Sequence, residues 1–220
     1  QLATAKLAAR VDEIRAAGVY LEEFLRALKR RLGGDPSEFR FSVRIFRRER
    51  EFRIYAQCRG VPDAASFYDP SGVEVAIHIT TPLDRDRMAR TLMHEFCHQY
   101  LHRVFEKTRP MWLAEGLAEY FSNYTVARGT VVFGADFPAH RERIRKALKE
   151  DNLIPLRILV RMDRDAFYAG DVMLAYAEGW ALVRFLAQEQ ADVHDDALAA
   201  LGQGASLADV MTEETAAAGW

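Results

Sequence analysis

Apolar residues in the first 32 positions recur at alternating steps of four and three, the spacing of a helix with one buried face. Gly18 fills the one gap in the series, and Gly33 and Gly34 follow its end. The pattern predicts one amphipathic helix over residues 2 to 32, closed by the glycine pair. The heptad spacing also fits a coiled coil, but the series is short and interrupted, so we favour a helix that packs on its own domain. The apolar positions are Leu7, Val11, Ile14, Leu21, Leu25, Leu28 and Leu32.

Two later segments alternate between apolar and polar residues, which is typical of strands. They are "FRFSVRIF" at residues 39 to 46 and "VEVAIHI" at residues 73 to 79. Between them we expect a short helix through Tyr55, a turn at residues 60 to 63, and a connecting segment, "SFYDPSG".

The second half of the chain is rich in helix signals. A helix is predicted to start at Thr81-Pro82-Leu83-Asp84 and another after Pro110. "TVARGTVVFG" predicts a hairpin that turns near Arg128 and Gly129. Residues 140 to 218 are expected to be mostly helical, with breaks at Pro155, Gly170 and residues 202 to 204.

A small sheet early and helices late indicate an α+β fold with a mostly helical C-terminal part. We find no repeat and no long linker, so we expect one domain over residues 1–220, with two possible lobes at about 1–124 and 125–220.

Composition narrows the function classes. The 220 residues are 50% hydrophobic, and 30 basic against 32 acidic side chains give a net charge of -2. No overall field therefore favours nucleic acid or anionic lipid. No apolar run approaches the roughly 18 residues needed to span a bilayer. Only Cys58 and Cys97 are present, which excludes a cysteine-rich zinc site and gives no sign of a disulfide framework.

The stretch "HEFCH" is the strongest candidate for chemistry. On a helix, His94 and His98 lie one turn apart on one face, where two imidazoles can converge on one metal ion. Glu95 lies about 100° around the helix, and its carboxylate can reach a water that the ion holds. Apolar residues surround most of this helix, and burying the polar groups is costly unless a partner such as zinc satisfies them.

The third ligand must come from another segment. His102 lies about 12 Å along the helix axis from His94, too far to share an ion, and is expected to be a rim or core residue. In the next helix, Glu115 and Glu119 are one turn apart and can face the histidines. One carboxylate can bind the metal while the other accepts a hydrogen bond from a ligating imidazole, and spacing alone does not say which.

"HEFCH" followed by "WLAEGLAEY" resembles the gluzincins, zinc peptidases that include thermolysin-like and aminopeptidase-N-like enzymes, and the chain also resembles peptidase-MA-like domains. The resemblance implies a zincin-like core with an edge strand over the cleft. It implies that His94, His98 and Glu115 bind Zn²⁺ and that Glu119 supports His94. Glu95 is then the general base.

A further stretch, "YAEGWALVRFL", resembles the segment of aminopeptidase-N-like enzymes whose tyrosine stabilises the oxyanion. This implies that role for Tyr176. A phenol suits it, because it donates a hydrogen bond without adding a formal charge. The alternative is a core tyrosine, and Tyr168 is the weaker competitor for the role.

The chain lacks the Gly-x-Met-Glu-Asn strand with which these aminopeptidases capture a free amine, so exopeptidase specificity is not supported. Glu74 stands in a comparable place, but alternation makes it the polar face of a strand. That strand, residues 73 to 79, is expected to pair with an extended substrate along the cleft edge.

We therefore expect a zinc-dependent metallopeptidase that acts on a peptide or protein, with no nucleic-acid partner. The alternatives are a non-catalytic zinc-stabilised peptide-binding module and a zinc hydrolase acting on another acyl group. The sequence starts at Gln1, so the compartment stays open, with an exported or cell-envelope location favoured over the cytoplasm.

Overall fold

The computed structural model of the chain describes residues 2–32, 40–71, 73–78, 85–104, 110–128 and 130–189. The prediction of one continuous N-terminal helix is wrong, because α1 (Leu2–Ala17) and α2 (Leu21–Leu32) are separated by a 3₁₀ turn, Gly18–Tyr20. Glycine is a poor helix former, and the break falls at the one gap in the apolar series. Helix α2 buries its apolar face, including Phe24 and Leu28. The predicted stop at Gly33 and Gly34 lies outside the described residues.

Within the described ranges, three strands form the first sheet in the order β1-β3-β2. Strand β1 (Val43–Phe46) runs parallel to β3 (Glu74–His78), and β2 (Ser66–Asp69) runs antiparallel to β3. The predicted short helix is α3 (Glu49–Cys58), which follows β1.

Strand β2 changes the expected sheet. Its residues were expected to form only a connection, since the stretch is too short for clear alternation. Because β2 and β1 flank β3, the expectation that β3 lies at an edge and pairs with substrate is wrong. All five residues of β3 are buried, and in the described part of the chain β2 is the edge strand next to the helix Arg85–Val104.

Three helices form the centre of the molecule: α4 (Arg85–Val104), α5 (Met111–Ser122) and α9 (Val172–Glu189). Helix α5 packs between the other two and is buried along nearly its whole length. Its apolar residues surround the helix, so no side of it needs to face water. The core therefore lies around α5, with the sheet and α2 packed on the side of α4.

The remaining elements agree with the sequence pattern. Strands β4 (Tyr124–Ala127) and β5 (Thr130–Phe133) form the predicted hairpin, in which Arg128 adopts a φ of 52°. Three helices follow: α6 (Pro138–Lys149), α7 (Leu156–Leu159) and α8 (Arg164–Ala169).

The predicted breaks at Pro155 and Gly170 are confirmed, since the first precedes α7 and the second ends α8. The start at Thr81 to Asp84 and the break at residues 202 to 204 lie outside the described residues. The α+β class is confirmed, with helices predominating. Among the described residues, no helix is long and apolar enough to cross a membrane.

Candidate metal centre

The two motif histidines lie on one face of α4, as the helical spacing predicts. Their Nε2 atoms are 3.1 Å apart, and both side chains are partly buried. The opposite face of the same helix carries Ala89, Met93 and Phe96, which are buried against the N-terminal part of the chain. This apolar face fixes the rotation of α4, so the imidazoles must point toward α5.

Glu115 of α5 completes a triangle with the two imidazoles. Its Oε2 lies 3.4 Å from Nε2 of His94 and 3.2 Å from Nε2 of His98. The Glu115 side chain is almost fully buried. The three groups could hold a metal ion, since each offers one ligand atom to the same small space.

The size of this triangle fits a tetrahedral zinc ion. Ligand bonds of about 2.0–2.1 Å place the ligand atoms of such an ion about 3.3–3.4 Å apart. The three edges here measure 3.1, 3.4 and 3.2 Å. Two imidazoles and one carboxylate also form a donor set that zinc accepts, with a fourth position left for water.

The electrostatics of the triangle favour a cation. Burial alone would raise the pKa of Glu115, but the charge of His98 and hydrogen bonds from both imidazoles hold it well below its usual value. Burial alone would lower the pKa of His94, whereas Glu115 and Glu119 raise it well above 6.5. The carboxylate is thus ionised at neutral pH, and the pocket attracts positive charge, either a proton or a metal ion.

Glu119 lies behind His94, where the sequence analysis placed it. Its Oε1 is 3.2 Å from Nδ1 of His94, on the side of the ring away from the triangle. Its Oε2 is 3.0 Å from Nε2 of His140, at the start of α6. Burial opposes ionisation of Glu119, but these two imidazoles lower its pKa to about 2. A carboxylate at Nδ1 selects the tautomer that leaves Nε2 of His94 free to bind a metal.

Glu95 accepts a hydrogen bond from a residue of the first sheet. The hydroxyl of Ser66, on β2, donates a hydrogen bond of 2.9 Å to Oε1 of Glu95, and the Glu95 side chain is buried. This contact orients the Glu95 carboxylate, whose charge is one of those that raise the pKa of His94. It also shows that the strand that the sequence pattern missed contributes directly to the site.

Two tyrosines approach the triangle from the C-terminal helices. The ring of Tyr176, on α9, lies 6.4 Å from the ring of His94, measured between centroids. The hydroxyl of Tyr168, on α8, donates a hydrogen bond of 2.7 Å to Oε1 of Glu115. Burial and the charge of Glu115 raise the pKa of both phenols, which are therefore protonated donors at neutral pH.

A family model matches residues 88–206, more than half of the chain, and its description is "Protein of unknown function (DUF1570)". The chain belongs to this family. No curated protein matches it significantly. The matched range includes the triangle, Glu95, Glu119 and both tyrosines, whereas Ser66 lies before it.

Two residues weighed in the sequence lie away from the triangle. Glu74 is the first residue of β3. Its carboxylate accepts a hydrogen bond from Arg44 and a second one, of 3.0 Å, from the hydroxyl of Tyr55. It is buried among charged partners rather than on an exposed polar face. His102 is exposed and is 3.1 Å from the Tyr68 hydroxyl, so its exclusion from the ligand set agrees with the geometry.

Sequence reasoning missed Ser66 and His140. A serine in a short polar segment carries no pattern that connects it with a glutamate 29 residues later. His140 follows a proline at the start of a helix, where a lone histidine has no spacing signal. Only the packing of β2 on α4 and of α6 on α9 brings them to the site.

Proposed function

We propose that this protein is a zinc-dependent metallopeptidase of the gluzincin type, and that its core is a thermolysin-like zincin fold. The observation that carries the proposal is the triangle of His94, His98 and Glu115, with edges that suit tetrahedral zinc. Glu95, next to the first ligand, adds the carboxylate that hydrolysis requires. A zinc ion bound there would lower the pKa of a water in its open position to about 7.

Glu95 is the proposed general base. Its carboxylate accepts the proton of the attacking water and later returns it to the leaving amine. The Ser66 hydrogen bond at Oε1 limits rotation of the side chain, so the carboxylate keeps one orientation between turnovers.

Tyr176 is the proposed donor to the oxyanion that develops on the substrate carbonyl. It remains protonated because burial, followed by the charge of Glu115, raises its pKa. Tyr168 has a different proposed role, since its hydroxyl is already used on Oε1 of Glu115. That hydrogen bond leaves Oε2, the oxygen in the triangle, for the metal.

The proposed substrate is a peptide in extended conformation. Strand β2 lies at the edge of the sheet on the side of Glu95, and an edge strand can pair with an extended backbone. This assigns to β2 the role that the sequence suggested for β3. Glu74 is not assigned to amine capture, because Arg44 and Tyr55 already bind its carboxylate.

Digestion of a peptide library by the purified protein tests the proposal. We expect cleavage by the wild type, its loss with a chelator, and its recovery when zinc is added back. The matched control is Glu95→Gln, which keeps the metal ligands but cannot accept the proton. Cleavage by Glu95→Gln at the wild-type rate would overturn the general-base role.

The same experiment separates the alternatives. Zinc-dependent capture of peptides without cleavage would favour a binding module. Hydrolysis of esters or other acyl compounds, without any peptide cleavage, would favour a hydrolase of a different substrate class.

A further inference from the structure

His140 is a buried imidazole that the proposed reaction does not use. It is the third residue of α6 and is only 4% exposed. Its ring packs against Phe137, at 4.0 Å between centroids, and against Trp180 of α9, at 5.7 Å. The ring meets the carboxylate of Glu119, whose Oε2 is 3.0 Å from its Nε2.

A continuous chain of polar contacts therefore runs from α6 to the triangle. Nε2 of His140 is 3.0 Å from Oε2 of Glu119, and Oε1 of Glu119 is 3.2 Å from Nδ1 of His94. A carboxylate with a partner on each oxygen cannot rotate about its last bond without losing one of them. Each hydrogen bond to an ionised group is stronger than one between neutral groups, so both favour the same orientation.

We propose that His140 is a positioning residue for the metal centre, which acts by fixing Glu119 and, through it, the ring of His94. The inference rests on the proposed metal site. It adds a role for α6, which contributes none of the proposed ligands. The Nε2 atom of His94 then faces His98 and Glu115 before a metal arrives. Removal of the His140 donor takes away one of the two contacts that orient the Glu119 carboxylate, so His94 binds the metal less tightly.

Packing alone does not account for an imidazole here. An aliphatic or aromatic side chain would fill the space beside Phe137 and Trp180 without the cost of burying a polar ring. The buried ring instead directs Nε2 at a carboxylate that is itself mostly buried. A role limited to packing would affect stability, whereas a positioning role would affect the affinity for the metal.

Two amide substitutions form a matched test. The amide nitrogen of glutamine can take the place of Nε2, whereas that of asparagine is too short to reach Glu119. We expect His140→Gln to retain zinc affinity and His140→Asn to lose affinity, by less than the about 10–100-fold expected when a direct partner of a metal-binding histidine, here Glu119, is removed. Zinc affinity is measured by competition with a chromophoric chelator, and cobalt absorption spectra report the geometry of the site.

Phe137→Leu is the packing control, because it disturbs the same aromatic cluster but leaves the contact between His140 and Glu119. We expect a lower melting temperature for the metal-free protein and an unchanged zinc affinity. In a Glu119→Gln background, His140→Asn should cause little further loss of affinity, because the carboxylate that it acts through is already gone.

Equal zinc affinity and equal cobalt spectra for wild type, His140→Gln and His140→Asn would overturn the positioning role and leave the proposed function intact. Additive losses in the double variant would also contradict it. A wild-type protein that binds neither metal would overturn both proposals. A wild type that binds zinc tightly but cleaves no peptide would overturn only the peptidase.

Discussion

Gly116 of α5 and Gly179 of α9 bring their helices into backbone contact. A Cβ atom on Gly116 would lie 2.5 Å from the carbonyl oxygen of Gly179, and one on Gly179 would lie 2.8 Å from the carbonyl oxygen of Trp112. Gly116 follows the proposed ligand Glu115 in the chain, and Gly179 lies one turn after Tyr176. The close approach therefore sets the separation between the triangle and the proposed oxyanion donor.

Gly116→Ala should force α5 and α9 apart. The added methyl group meets rigid backbone and also Val183, so we expect a loss of about 1–3 kcal/mol in the free energy of unfolding. Zinc affinity should fall as well, because Glu115 moves with the helix. The control is Gly18→Ala, where nothing lies within 4 Å of the new methyl group. Equal chemical unfolding curves for Gly116→Ala and wild type would contradict the tight helix contact.

His94→Ala and His98→Ala should each abolish tight zinc binding, since two ligands hold the ion much less well than three. Zinc should raise the melting temperature of the wild type but not of these variants, because only a bound ion stabilises the folded state. His102→Ala is the matched control on the same helix and should respond to zinc like the wild type. Full zinc occupancy in either ligand variant would remove that histidine from the site.

Tyr176→Phe should lower kcat and kcat/KM together by about 10²–10³, because it removes a donor that acts on the developing charge. Tyr168→Phe should instead weaken zinc retention, since it removes the hydrogen bond to Oε1 of Glu115. Steady-state kinetics at saturating zinc separate the two roles. Normal turnover in Tyr176→Phe with a large loss in Tyr168→Phe would make Tyr168 the oxyanion donor.

The stability of the metal-free protein should depend on pH, because groups at and beside the triangle have shifted pKa values. The raised pKa of His94 contributes stability that is complete below pH 6.5 and is lost as the pH rises through the raised value. The lowered pKa of Glu119 contributes stability that is present above pH 4.5 and is lost as the pH falls toward about 2. Both contributions to stability are therefore present between pH 4.5 and pH 6.5.

Melting temperatures measured from pH 3 to pH 9, with and without zinc, test this pattern. We expect the metal-free protein to lose stability above neutral pH, and zinc to restore it, because the ion replaces the proton on His94. In the zinc-bound protein, affinity should decrease as the pH falls. A metal-free protein whose melting temperature is constant from pH 6 to pH 9 would contradict the raised pKa of His94.

Local geometry explains which parts of the site could be predicted from sequence. Residues four apart on a helix share a face whatever surrounds the helix, so the pairings of His94 with His98 and of Glu115 with Glu119 follow from spacing alone. Cap, proline and turn signals likewise predicted α4, α5 and the hairpin of β4 and β5. Spacing did not say which glutamate meets the imidazoles. The resemblance assigned Glu115, and the packing of α5 on α4 agrees with it.

Contacts between residues far apart in the sequence could be found only from the tertiary structure. Ser66 meets Glu95 across 29 residues, His140 meets Glu119 across 21, and Tyr168 meets Glu115 across 53. The central position of β3 in its sheet could not be predicted either, because it depends on pairing with the four-residue strand β2. Spacing within one helix is set by the geometry of its own backbone. Contacts between distant segments depend instead on how buried faces and close-packed glycines orient whole helices, and the sequence encodes that only through the complete fold.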